Sequence, residues 1–285
     1  MALDQIDVAP KGEEAVEVKE MTFFDHLEEL RWHIMRSVVA ILAVAVVAFI
    51  MKDVLFNTII FGPKQPDFIS YKVLCSLSHA LGIGETLCIG PPPFDFITPN
   101  FGELFLTHIK VSFIAGVIAA SPYILWEAWR FIKPGLYDQE VKVARYAVLI
   151  CSSLFLAGVF FGYFVIAPFA VTFLAGYELP GVVAQPSLGS YISYLVMLTV
   201  PVGLTFELPV AVHVLTRLGI VGSKMMKSYR KHALVVIIVL ASIITPPDVF
   251  SQVLISVPLM MLYEVSIIVA KRVEKQEKEK EKKAA

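Results

Sequence analysis

Carboxylates inside apolar runs, and a charged stripe just ahead of the first such run, are the residues of this chain with chemistry to offer. Glu207 stands in Phe206-Glu207-Leu208-Pro209. It lies about 24 Å along a helix from Tyr191, with a further apolar run, Val210 to Thr216, behind it. An ionisable group there costs about 2.5–3.5 kcal/mol on insertion scales and marks a functional site unless it is hydrated at an interface. Pro201 and Pro209 deprive the Met197 and Thr205 carbonyls of their helical donors, which predicts a bent helix with a polar notch at Glu207. Glu127 and Glu264 stand near helix ends and read as interfacial carboxylates. Ahead of the first apolar run, Phe23, Leu27, Leu30 and Ile34 form one stripe at helical spacing, suited to lying at a membrane surface. Asp25, Glu29 and His33 follow one another at i,i+4 on another face.

Catalytic chemistry finds no support. The sequence holds no HExxH, no GxSxG and no Walker A motif, and Gly82-Ile83-Gly84 is a lone Gly-x-Gly outside any nucleotide-binding context. Three cysteines are too few and too scattered for a zinc cluster. The reading is therefore no enzyme, no metal and no cofactor.

The elements that must position these carboxylates are set by composition. Of 285 residues, 57% are hydrophobic and 17% charged, with mean hydropathy +0.72, well off the balance of soluble domains. The charges cluster in islands between long apolar stretches, as in a polytopic membrane protein. With a net charge of −1, no basic field points to nucleic acid. Residues 1–20 are acidic and lack the basic and apolar regions of a cleaved signal peptide. Crossing ~30 Å of hydrocarbon takes about 20 apolar residues, which predicts spans at about 34–51, 104–126, 146–168, 188–216, 233–245 and 249–270. The fifth is too short to cross unaided, about 20 Å at 1.5 Å per residue. Pro246-Pro247-Asp248 between the last two predicts a tight hairpin, with Asp248 capping the sixth. Helices five and six are thus both expected to be short. After residue 271 a charged tail, 272–285, alternates Lys with Glu and reads as a solvated helix with pairs such as Glu274–Lys278. Residues 1–21 form an acidic tail at the other end.

Orientation follows from the basic residues. Twenty of the 24 Lys and Arg fall in the N-terminal segment, the second and fourth loops and the C-terminal tail, predicting six spans with both termini cytoplasmic. The long first loop, from about Lys52 to Glu103, then lies outside, where thiols oxidise. A disulfide between Cys75 and Cys88 is expected there, and Cys151 reads as a buried apolar filler.

At this point the motifs resemble a known family, TatC, the multispanning component of the twin-arginine protein translocase. The resemblance runs from Phe23 to about Lys271. It rests on Phe24-x-His26-Leu27-Glu28-Glu29-Leu30-Arg31, on Ser121-Pro122-x-Ile124-Leu125 with Trp129-x-Phe131-Ile132-x-Pro134-Gly135-Leu136-Tyr137-x-x-Glu140, on Phe206-Glu207-x-Pro209, and on Thr245-Pro246-Pro247-Asp248-Val249-Phe250-Ser251-Gln252. It implies a receptor in the bacterial inner membrane for signal peptides bearing two adjacent arginines. Folded proteins would be exported by the proton-motive force, with single-span partners of the TatA and TatB type in an oligomeric complex. The signal-peptide carboxylates map to Glu29 and Glu140, with Asp25 and Glu28 as alternatives to Glu29, and the intramembrane glutamate to Glu207. Arg31, Pro134, Asp248 and Gln252 are motif residues expected to be structural. Two departures stand out: Val141-Lys142 follows Glu140 where many members carry basic residues directly, and the first external loop is longer than usual. The competing reading is a proton-coupled small-solute transporter built around Glu207. The topology is tested by labelling single cysteines from outside: positions 85 and 181 should react, and positions 137 and 228 should be protected.

Overall fold

The computed structural model is a bundle of α-helices, with no β-strand among the described residues. It describes residues 23–80, 82, 84–85, 88–91, 94–132, 141–177, 180–181, 185–244 and 249–284. The helices are α1 (Phe23–Ile50), α2 (Ile69–Ala80), α3 (Glu103–Ile132), α4 (Val141–Phe161), α5 (Ala167–Ala175), α6 (Leu188–Thr205), α7 (Leu208–Arg217), α8 (Ser223–Ser228), α9 (Arg230–Ile244) and α10 (Val249–Ala284). Among the described residues, five stretches are long and apolar enough to cross a membrane: Leu27–Ile50, Glu103–Phe131, Val148–Ala175, Leu188–Arg217 and Gln252–Glu279. Backbone N–H and C=O groups have no water to bond in hydrocarbon, so an apolar chain of this kind satisfies them within helices.

Two expectations change. The stretch from Phe23 is no separate surface helix, because α1 runs unbroken for 28 residues. Leu27 and Ile34 lie on its outer side, 45% and 54% exposed, in line with the lipid-facing residues that follow. Helix six is not short: α10 runs for 36 residues, since the Lys/Glu-rich stretch after residue 271 holds good helix formers and neither Gly nor Pro. In the tail Lys275 pairs with Glu279 at i,i+4, 3.8 Å apart, and Glu274, with Lys278 nearby, adds a longer-range tie in which its carboxylate accepts from the backbone N–H and the hydroxyl of Ser223, each at 2.6 Å. Helix α9 has 15 residues, rising about 22 Å.

Two irregularities precede prolines. Between α4 and α5 the rod widens to a π-turn over Gly162–Ile166, with Ala167 N–H bonding Gly162 C=O. Pro168 then falls in the first turn of α5, where no helical donor is needed. This carries the third rod to Ala175, past the predicted end at Pro168. Helix α6 tolerates Pro201 in its interior, and the chain breaks instead at Phe206–Glu207, ahead of Pro209.

Two close crossings hold the rods together. At α1/α3 a Cβ on Gly116 would lie 2.8 Å from the Ile41 carbonyl. At α4/α6 a Cβ on Gly158 would lie 2.8 Å from the Cα of Gly203, so the two backbones touch there. Lipid offers helices no hydrophobic drive to associate, and small residues that allow backbone contact supply it through packing.

The end opposite the start of α1 is capped by the first loop. Lys64 sits 5.0 Å above the Phe96 ring and 2.8 Å from Asp95; this hydrogen bond, and the charge behind it, hold the Asp95 carboxyl below its ordinary range. Tyr191 donates to the Ile60 carbonyl at 3.0 Å, and Tyr163 donates to the Ile59 carbonyl. Ile97 pairs with Ser187 in one isolated bridge, and a disulfide joins Cys75 to Cys88 with their Cα atoms 4.2 Å apart.

Overpacking a tight crossing costs about 1–3 kcal/mol. Gly158→Val should therefore lower the melting temperature of the purified protein. Gly102→Ala, where the added Cβ meets nothing within 4 Å, should leave it unchanged.

Candidate functional site

The strongest gathering of charge lies where the first turns of α1 meet the last turns of α3. The buried carboxylate of Glu127, 2% exposed, accepts a hydrogen bond from Nδ1 of His33, a residue 94 positions away and itself 6% exposed. Arg130 approaches the other oxygen at 3.4 Å and Arg36 approaches Oε2 at 3.9 Å. The far nitrogen of the imidazole, Nε2, lies 3.9 Å from Glu29 Oε1. Phe131 closes over the ring edge-on, its centroid 6.1 Å away. The result is a line of charge from buried Glu127 through His33 to Glu29, whose side chain remains 35% exposed.

Burying a carboxylate costs several kcal/mol and is offset only by good partners. Glu127 has four cationic or ionisable ones, His33, Tyr123, Arg36 and Arg130, of which the two arginines keep about half of their side chains in solvent. The reading of Glu127 as an ordinary interfacial residue is therefore corrected. Glu264 fits that reading, an exposed carboxylate paired with Arg230 at 2.6 Å.

A second carboxylate belongs to a different set of helices. Glu207 is the residue at the break between α6 and α7; its carbonyl accepts from Val210 N–H and Ala211 N–H at 3.0 Å each, so it starts the second helix. Its side chain is half-buried and turned toward α4, where Cys151 and the backbone of Phe155 face it. Its Oε1 is buried with no hydrogen-bond partner. Cys151 is a free, buried thiol, 4% exposed.

Of the other motif residues, Arg31 and Glu28 are exposed on α1, and Gln252 donates to the Ile238 carbonyl at 3.1 Å, tying α10 to α9. Glu140, Pro134 and Asp248, and the side chain of Asp25, lie outside the described residues. Cys75, His79 and Cys88 gather their ligand atoms within 4.8 Å of one another. Both sulfurs are spent on the disulfide, leaving His79 as the one donor of that group. Sequence reading placed Glu29 and His33 on one face and missed their anchor. Glu127 three residues before Arg130 was the available signal, but only the α1/α3 contact buries it.

An all-helical chain with five membrane-length apolar rods and paired or enclosed carboxylates at their ends is a multi-pass membrane protein. Residues 25–258 match the family described as Sec-independent protein translocase protein (TatC). The TatC protein of Blattabacterium sp. subsp. Periplaneta americana is 36% identical over 263 residues, 89% of this chain and 96% of that one. That of Carboxydothermus hydrogenoformans is 36% identical over 92% of this chain and 98% of its own. Two crystal structures described as the twin arginine translocase receptor TatC share 33% identity and cover 99% of those chains, one with TM-score 0.63 over 87% of this chain and one, in DDM, with 0.68 over 86%. The chain belongs to the TatC family and is a subunit of the Sec-independent protein translocase. The family is one of non-enzymatic transport proteins, and its cargo is protein rather than small solutes.

Proposed function

We propose that this chain is the signal-peptide receptor and core subunit of a twin-arginine translocase in a bacterial inner membrane. In this reading the start of α1 and the end of α10 face the cytoplasm, and α9 with α10 forms the last two of six crossings. Glu29 and Glu140 read the two arginines, and export of folded cargo draws on the proton-motive force. The observation that carries it is Glu29 itself, a partly exposed carboxylate on α1 backed by the buried His33–Glu127 pair, on the same end as the basic loops. A guanidinium is permanently charged and offers a flat donor fork. A carboxylate accepts it with two parallel hydrogen bonds, which an ammonium cannot make. One carboxylate holds one fork well, so two arginines ask for two acidic partners. The related structures are described as receptors, which supports the same role here.

Glu207 serves a different step in this reading. Its unpartnered buried oxygen suits a polar group from a single-span helix of the TatA or TatB type, a contact worth about 1 kcal/mol.

Truncating one partner of a charge pair costs about 2–5 kcal/mol. Glu29→Ala and Glu140→Ala should each remove most binding of a twin-arginine precursor, measured by co-purification, while the protein still inserts. Retained preference for Arg-Arg over Lys-Lys in the double variant would reject the assignment. Glu207→Gln should keep precursor binding but weaken crosslinking to the single-span partners and transport. Full transport by Glu207→Leu would reject its role.

A further inference from the structure

We infer that Glu127 and His33 are positioning residues that give Glu29 its selectivity for a guanidinium over an ammonium; this rests on the reading of Glu29 as an arginine-binding carboxylate. Glu127 is almost wholly buried, and its carboxylate takes the imidazole through Nδ1. That contact fixes the ring plane, and Phe131 packed edge-on restricts it further. The ring's other nitrogen is thereby aimed at Glu29, 3.9 Å away on the next turn of the same helix.

The chemistry resembles that of a metal-bound or catalytic histidine, where a carboxylate behind the ring sets its orientation and what its far nitrogen presents. Here the far nitrogen faces a carboxylate that is still open to water. A glutamate free to rotate meets a point cation and a planar fork about equally well. One with an imidazole held beside its inner oxygen, at ion-pair rather than hydrogen-bond distance, is biased toward turning its remaining acceptor positions outward in one plane. Pre-ordering lowers the cost of binding a ligand that needs this plane, and the guanidinium needs it whereas the ammonium does not.

Two further features favour positioning over simple stabilisation. A buried ionic cluster is commonly replaced by apolar residues without loss of stability, so stability alone gives little reason for charge here. Arg36 and Arg130, at 3.9 and 3.4 Å, hold the Glu127 charge from the solvent side. The imidazole alone is left to connect Glu127 to Glu29. Ser37, which donates to the His33 carbonyl at 2.9 Å, touches only the backbone and leaves the ring to Glu127.

The test uses the full-length protein in nanodiscs and two fluorescent signal peptides, identical except for Arg-Arg or Lys-Lys. The readout is the ratio of the two affinities, which a general loss of folded protein does not move. In His33→Ala the ratio should fall about tenfold, the scale on which outer partners of a binding group act. Glu127→Gln, which keeps His33 but not its anionic anchor, should lower the ratio in the same direction. The double variant should lower it no further than His33→Ala alone, because the two act through one another. His33→Gln keeps the side-chain volume and a donor toward Glu127 but cannot bridge to Glu29; it serves if the alanine variant fails to insert, and its ratio should fall as well. A wild-type ratio in His33→Gln or Glu127→Gln, with the ratio lost in Glu29→Ala, would overturn this inference and leave the receptor reading intact. A wild-type ratio in Glu29→Ala would overturn the receptor reading itself.

Discussion

Hydrocarbon offers no partner to a peptide group, and the rest of this structure depends on that constraint. Each backbone N–H and C=O inside the membrane must be answered within its own rod, which is why the chain is helical wherever it is apolar. The same constraint decides where the rods are imperfect. Proline removes one donor; at two prolines the backbone gives way ahead of it, widening at Gly162–Ile166 before Pro168 and breaking at Phe206–Glu207 before Pro209, whereas Pro122, Pro201 and Pro258 stay inside continuous helices. Glu207 stands at that break without capping the second helix through its side chain, and its burial against α4 follows from the close crossing at Gly158 and Gly203.

The two ends of the bundle solve different problems with the same residue types. At the cap end, charge is used sparingly and is surrounded by rings, as when Lys64 lies between Phe94 and Phe96 with Asp95 beside it. Tyrosine hydroxyls from the rods close on the carbonyls of the first loop, fastening an otherwise long connection. At the other end charge is dense and partly open. Glu127, His33, Arg36 and Arg130 form a cluster whose inner half is buried and whose outer half reaches solvent. A buried anion of this kind is costly alone and acceptable in company, so the cluster fastens α1 to α3 and defines the environment of Glu29 at once.

The long last helix links that end to the loop between α7 and α9. Glu274 captures the start of α8 through Ser223, and Ile267, Ala270 and Val273 are buried along the same stretch. A segment whose Lys/Glu alternation suggests a solvated appendage therefore has one apolar edge and one capping carboxylate at work. Its helicity comes from local propensity, and its attachment from contacts 51 positions apart.

The class of the protein, the places of the five long apolar rods and the standing of Glu29 and Glu207 as candidate site residues were legible in the amino-acid order. They follow from local rules: the length needed to cross hydrocarbon, the cost of an ionisable group within it, the spacing of residues on one helix, and motifs that are contiguous in the chain. What α1 and α3 do together was not legible. His33 reads as one more polar residue on a helix face, and Glu127 as a carboxylate near a helix end, because neither residue's neighbours in the chain reveal that the two are packed against each other. The glycines at 158 and 203 are likewise unremarkable until the rods cross at them. Burial and partnership across long separations are properties of the packed bundle, and they alone decided that Glu127 is an anchor rather than a surface charge.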